Sequence, residues 1–372
     1  MLDSKTCSAE RWVRLLDVQF HLIADDTDAF ALLDALYEAP EFRTRPGHES
    51  LPMHFRIEPG GPAALTVELD GQSRRLGTSP DRPLEIAEWT FRTMLERSRE
   101  FLVVHAGALR HRDEGILVVG PPFAGKTTLT LALAAEGLEY LSDDVGALAR
   151  ADGRLHPFRR RAGVRRAAGG REYIMPGAID GRAGPAPEPC SPRWLFVLEA
   201  PRPSLPGERG AWTLIIEPGC EAALAPMATT CGIAVAERRP WGGGVRFDFA
   251  PVEGATLAKM LRDCLGAEPA GILYLGPTPR DWGGVPGAKP ALRPIETREA
   301  AEEVLRHLLN RAGHADLEVR YGHHPHLKML AEIYRWLAPA RAYKVAAGDP
   351  AETARLLKAL IAEAESARKT LS

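Results

Sequence analysis

Apolar and polar positions along this chain predict a change of structural regime near residue 100. Between residues 12 and 79 short apolar runs are broken by glycines. Residues 53–57 and 64–69 read as strands, and Asp70-Gly71 is a hairpin turn signal. Together they predict a small α+β unit. Leu84, Ile86, Ala87, Phe91, Met94 and Leu95 then fall close to helical spacing, predicting an amphipathic connecting helix over 84–98. Beyond it, residues 101–104 and 115–119 are β-branched and apolar, as strands buried on both faces are. An Ala/Leu-rich helix follows at 127–136, closed by Gly137, and a strand resumes at 138–141.

Farther along, strands are predicted at 194–198, 212–216, 245–249, 272–275 and 317–321, and helices at 254–265, 297–312 and 351–366. Two Pro/Gly-rich connections, 184–210 and 276–294, exceed ordinary loop length. The pattern divides into an N-terminal α+β unit (1–98), an α/β core (99–312) and a C-terminal α/β and helical extension (313–372).

Composition narrows the class without naming a function. At 372 residues, with 45% hydrophobic and 26% charged side chains, the chain has material for a sizeable core and is not disordered. Lys and Arg number 47 against 49 Asp and Glu, a net charge of −2, so no global positive field draws it to nucleic acid or to an anionic membrane. No run approaches the roughly 20 apolar residues of a membrane helix, and the first 20 residues lack the pattern of a signal peptide. The expectation is a cytoplasmic protein. Five widely spaced cysteines, with no C-x-x-C pair, fit reduced thiols.

The strongest chemical signal is Gly120-Pro121-Pro122-Phe123-Ala124-Gly125-Lys126-Thr127, which satisfies G-x-x-x-x-G-K-[ST], the Walker A pattern. It follows a predicted strand and opens a predicted helix, the context the mechanism requires. The loop of residues 120–128, Thr128 included, would wrap nucleotide phosphates with its available backbone N–H groups at a helix N-terminus. Lys126 would reach the β/γ oxygens, and the Thr127 hydroxyl would ligate Mg²⁺. Downstream, Ser142-Asp143-Asp144 closes the next strand. Only a short helix and strand fit between Lys126 and Asp143, so the acidic pair is expected beside the loop. One carboxylate of the pair can hold Mg²⁺, directly or through water, while the other takes a proton from an attacking hydroxyl. Successive strand residues face opposite ways, so both can serve only if the strand ends or bends there.

These residues, with His105-Ala106-Gly107 ahead of the loop, resemble the HPr kinase/phosphorylase family and, more distantly, the phosphoenolpyruvate carboxykinases that share its nucleotide-binding core. The resemblance covers roughly residues 100–165. It implies an α/β fold with an HPr-kinase/PEP-carboxykinase-like P-loop core and a smaller α+β N-terminal unit. It also implies ATP and Mg²⁺ as cofactors, Lys126 and Thr127 as phosphate and metal binders, Asp143 as acid/base, Asp144 and His105 as supporting catalytic residues, and a homo-oligomer. The loop departs from the family's Ser/Gly-rich version at Pro121, Pro122 and Phe123, and proline removes an N–H donor. The family's later phosphorylase signature is also missing. The expectation is a kinase whose hydroxyl acceptor is a Ser/Thr of some other peptide or protein, or a small-molecule alcohol.

Arg159, Arg160, Arg161, Arg165, Arg166 and Arg171 form a local basic cluster, in which Arg159 and Arg161 are candidate contacts for the phosphoryl group or an anionic acceptor, or else a solvated surface. His323, His324 and His326 lack ligand spacing, and Pro325 points to a surface turn there. Two other readings remain open at this stage: a non-catalytic, ATP-sensing protein that binds a partner, and a carboxykinase-like enzyme acting on a small carboxylic acid.

Overall fold

The structure is a computed structural model. It describes residues 9–24, 50–57, 65–69, 71–76, 82–121, 124–165, 171–181, 187–199, 209–216, 224–241, 244–265, 272–277, 289–309, 325–346 and 348–371. The expected strand at 317–321, together with Pro122, Phe123, Arg166, His323 and His324, lies outside the described residues. Two compact units are present: one comprises 1–120, 126–198 and 286–372, and the other 121–125 and 199–285.

In the first unit, β1 (Ala9–Leu15), β2 (Val18–Ala24), β3 (Ser50–Ile57), β4 (Leu65–Leu69) and β5 (Gln72–Leu76) form a five-stranded sheet in that order. Residues of alternating burial, among them Val13, Leu15, Phe20, Leu22, Met53, Phe55, Val67 and Leu69, turn one face inward. β4 and β5 pair antiparallel with Leu69 opposite Gln72, and Gly71 has φ 73°; Asp70 of the expected turn lies outside the described residues. Helix α1 (Arg82–Arg97) contributes Ile86, Trp89, Phe91 and Met94 to the same core, which continues through Phe101, Val103, Val145, Ala147 and Phe158. The Asp17 carboxylate, in the β1–β2 turn, accepts hydrogen bonds from Ser98 Oγ (2.6 Å), Arg99 N (2.6 Å) and Glu100 N (2.8 Å), which fixes the exit of α1.

The chain then runs through β6 (Phe101–Val104), β7 (Ala106–His111), β8 (Glu114–Val119), α2 (Lys126–Ala135), β9 (Glu139–Ser142), β10 (Gly146–Ala149), β11 (Leu155–His156), β12 (Ala162–Arg165), β13 (Arg171–Ile174), α3 (Pro176–Asp180) and β14 (Ser191–Leu198). As the apolar runs predict, β6 is buried along its whole length and β8 after its first residue. Gly137 (φ 96°) ends α2: Leu138 N–H bonds Leu133 O and Gly137 N–H bonds Ala134 O, a Schellman closure that only a residue tolerant of positive φ accepts cheaply.

The second unit contains β15 (Arg209–Ile216), α4 (Leu224–Thr230), β16 (Val235–Trp241), β17 (Gly244–Glu253), α5 (Gly254–Leu265) and β18 (Ile272–Pro277). Its four-stranded antiparallel sheet has the order β16-β17-β15-β18, and its core joins Leu214, Ile216, Phe247 and Phe249 to Leu257, Met260 and Leu261 of α5.

The first unit resumes with β19 (Ala291–Ile295), α6 (Thr297–Arg306), α7 (Pro325–Leu337), β20 (Arg341–Ala346) and α8 (Pro350–Leu371). Its six-stranded sheet has the order β19-β20-β14-β8-β7-β9, parallel at β20-β14-β8 and antiparallel elsewhere. The described residues thus form a mixed α/β protein with eight helices. Helix α6 stops at Arg306, short of the expected 312, because the chain leaves it to bridge β6: Leu308 lies opposite Val104, and Leu309 N–H bonds Val103 O at 2.8 Å. Pro325 opens α7 where a turn was expected, since the first helical position needs no N–H donor, and His326 is exposed there. No helix among the described residues is long and apolar enough to cross a membrane.

Candidate active site

The site is assembled at one end of the six-stranded sheet, where β8 gives way to α2 and β9 ends beside it. Gly120 closes β8 at φ 155°, Gly125 has φ 92°, and between them Ala124 N–H closes a turn on Pro121 O at 3.1 Å. These positive φ values are open to glycine and costly for a residue with a Cβ. Lys126 begins α2, and its Nζ is buried and donates to Gly120 O at 2.8 Å. Burial lowers the ammonium to about 8, against the raising pull of Asp144 and Asp143.

Helix α2 lies close to β7. A Cβ added at Gly107 would come within 1.9 Å of Thr130 Oγ1 and 3.2 Å of Thr130 Cβ, so glycine at 107 permits this approach. The strand carrying Gly107 pairs with both β8 and β9, which brings the start of α2 and the end of β9 to the same edge.

At that edge β9 ends at Ser142, whose Oγ accepts the Val145 N–H at 3.1 Å and the Asp144 N–H at 3.4 Å. This turn bends the chain as the acidic pair requires, so the two carboxylates occupy different surroundings. Asp143 is buried. Its Oδ1 accepts from Tyr140 Oη at 2.9 Å, and the Thr127 side chain hydrogen-bonds it as well. Burial and the neighbouring Asp144 charge raise its carboxyl above the ordinary value, against Arg160, Tyr140 and Thr127. Tyr140 is pushed well upward too, by burial and then by the Asp143 charge, and so stays a neutral donor.

Asp144 keeps 29% of its side-chain surface exposed. Nδ1 of His105 lies 2.9 Å from its Oδ1, and Arg160 pairs with its Oδ2. Burial opposes ionisation, but Arg160, His105 and Lys126 together overcome it and hold the carboxyl far below the carboxylate range. One fold therefore drives two adjacent carboxyls apart, the arrangement that separates an acid/base from a permanent anion.

His105 stands between strands, at the point where the chain passes from the three-stranded sheet β11-β10-β6 into the six-stranded sheet. Its backbone N–H bonds His307 O at 2.7 Å. His307 arrives from the end of α6. Burial, then the Lys126 and His105 charges and Arg306, lower its imidazole to about 3, so it is neutral.

The structure therefore brings together His105, Gly120, Lys126, Thr127, Asp143 and Asp144. Thr128 is exposed on the first turn of α2. Arg159 and Arg161 go elsewhere: the first is buried and donates to Tyr140 O at 3.1 Å, and the second has Nε 2.8 Å from Met175 Sδ. Arg160, between them, is the arginine that meets the acidic pair, and its guanidinium carbon also sits 4.9 Å above the Phe91 ring. Phe158 N–H bonds Leu141 O at 3.1 Å, aligning this segment with β9; neighbours on an extended segment point in different directions, which decides among the three arginines.

Tyr140 and His307 are further residues of the site that motif reading did not reach. No motif marks His307, whose place depends on a contact spanning some 200 residues of sequence. Among the described residues no group of three or more His, Cys, Asp or Glu side chains is arranged to hold a metal. No protein-family profile matches the chain, and no curated protein matches it.

Proposed function

We propose that this chain is a kinase that transfers the γ-phosphoryl group of ATP, with Mg²⁺, to a hydroxyl acceptor, on a P-loop core of the HPr-kinase/PEP-carboxykinase kind. The observation that carries the reading is the acidic pair beside the start of α2, with one carboxyl pushed up and the other pulled down. A phosphate-binding loop alone would suit an ATP sensor equally well. A buried carboxyl of raised basicity next to a fixed anion suits proton removal from an alcohol.

The residues fit the ion. Mg²⁺ takes oxygen donors, and one or two carboxylates plus substrate phosphates suffice. Thr127 Oγ1 and the partly exposed Asp144 carboxylate are such donors, and the Thr127 side chain already hydrogen-bonds Asp143. Bound there, Mg²⁺ would neutralise charge on the transferring group. Lys126 and the N–H groups at the start of α2 would hold the phosphates. Asp143 would take the acceptor proton, Tyr140 would orient it through the 2.9 Å hydrogen bond, and His105 would orient Asp144. The acceptor is a Ser/Thr of a peptide or protein, or a small-molecule alcohol.

The test follows γ-labelled ATP with Mg²⁺ in a nucleotide-depleted cell extract, comparing wild type with Asp143→Asn. Label on a discrete peptide, protein or metabolite with wild type alone supports the reading and delivers the acceptor. ATP binding with no transfer in either sample overturns it in favour of a nucleotide sensor. Lys126→Ala is expected to abolish transfer and weaken ATP binding.

A further inference from the structure

Both oxygens of Asp144, the carboxylate read above as a metal ligand, are engaged by basic side chains of the same protein: His105 Nδ1 at Oδ1 and Arg160 at Oδ2. A divalent cation approaching this carboxylate meets an anion that is already paired and a fixed positive charge beside it. Besides the Asp144 carboxylate, the His105 ring meets the Asp144 backbone oxygen, 3.3 Å from Nδ1. Arg160 is held differently. Its backbone neighbours are tied to β9 through Phe158 N–H to Leu141 O and Arg159 to Tyr140 O, while its long side chain leans on Phe91. Stacking on an aromatic face survives the loss of an ion pair, and the guanidinium fork matches phosphate as well as carboxylate. A quarter of the Arg160 side chain is exposed, so the group can be reached from solvent.

We propose that Arg160 is a latch on Asp144: in the nucleotide-free protein it keeps the carboxylate from a divalent cation, and it yields that carboxylate when the phosphates of a nucleoside triphosphate take its guanidinium instead. The proposal rests on the kinase reading and adds a regulation to the same site. Metal and nucleotide become positively coupled, because each relieves the charge the other must face, and the coupling is reciprocal. Arg160 thus has two partners in turn, Asp144 in the nucleotide-free protein and the phosphates in the nucleotide-bound one.

The test uses the full chain and Mn²⁺ as the probe, with free ion counted by electron paramagnetic resonance and with a non-hydrolysable ATP analogue present or absent. Wild type is expected to bind Mn²⁺ weakly alone and more tightly with the analogue. Arg160→Gln is expected to bind Mn²⁺ alone about tenfold more tightly, the size of one partly buried charge pair, and to lose a similar factor of coupling. Arg160→Lys, which keeps the charge without the fork, is expected to fall between them, and Asp144→Asn added to Arg160→Gln to erase the gain. Circular dichroism of each variant reports folding. Equal Mn²⁺ affinity in wild type and Arg160→Gln without the analogue, both binding with it, overturns the latch and leaves the kinase reading standing. No Mn²⁺ bound by either protein with the analogue present overturns both.

Discussion

His307 yields a prediction that can be worked through in numbers. Its imidazole is lowered from an ordinary 6.5 to about 3, by burial first and by the Lys126, His105 and Arg306 charges after it. Between those values the unfolded chain binds a proton at this position and the folded protein does not, so stability rises with pH across the window. The contribution is fully present above about pH 6.5, shrinks as the pH falls, and reaches its limit near pH 3. At about 1.4 kcal/mol per tenfold change, the whole interval corresponds to at most about 5 kcal/mol, of which about 3 kcal/mol falls between pH 6.5 and 4. Replacing His307 by Asn removes the titrating ring but not the backbone carbonyl that receives the His105 N–H. The difference in urea midpoint between His307→Asn and wild type should therefore shift in the variant's favour as the pH is lowered from 7 to 4. Histidine NMR provides a second readout: the resonance lost in His307→Asn should show no titration in wild type down to pH 4. A resonance titrating near 6.5, or parallel pH dependences of the two proteins, would refute the argument that this ring is buried beside an ammonium.

Two further outcomes test the packing. Gly107→Ala is expected to cost about 1–3 kcal/mol, because the new methyl meets Thr130 Oγ1 at 1.9 Å, and Thr130→Ala should recover part of the loss; strictly additive effects in thermal denaturation of the four proteins would refute the contact. Asp17→Ala is expected to lower stability by about 2–3 kcal/mol, since three donors at residues 98–100 lose their common acceptor; an unchanged melting temperature would show that the exit of α1 is held by something else.

Local pattern made much of the secondary structure legible. The strand–glycine–helix succession, the Gly137 closure, the antiparallel pairing of β4 with β5 and the helix Gly254–Leu265 each express a preference contained within a few residues. The adjacency of Asp143 to Thr127 was legible as well, because the short interval between them leaves little freedom. Helix α7 was missed because Pro325 was read as a breaker, whereas at a first helical turn it is a starter.

The sequence by itself determined that a glycine loop lies between an apolar strand and an Ala/Leu helix, with two carboxylates soon after. Only the tertiary structure decided which arginine meets Asp144, that Tyr140 turns its hydroxyl to Asp143, and that residues 307–309 leave α6 to pair with β6 beside His105. Those choices are made by backbone pairing between distant segments and by which side of a strand each residue faces. A shift of one residue in that pairing would turn Arg160 away and present a neighbour in its place.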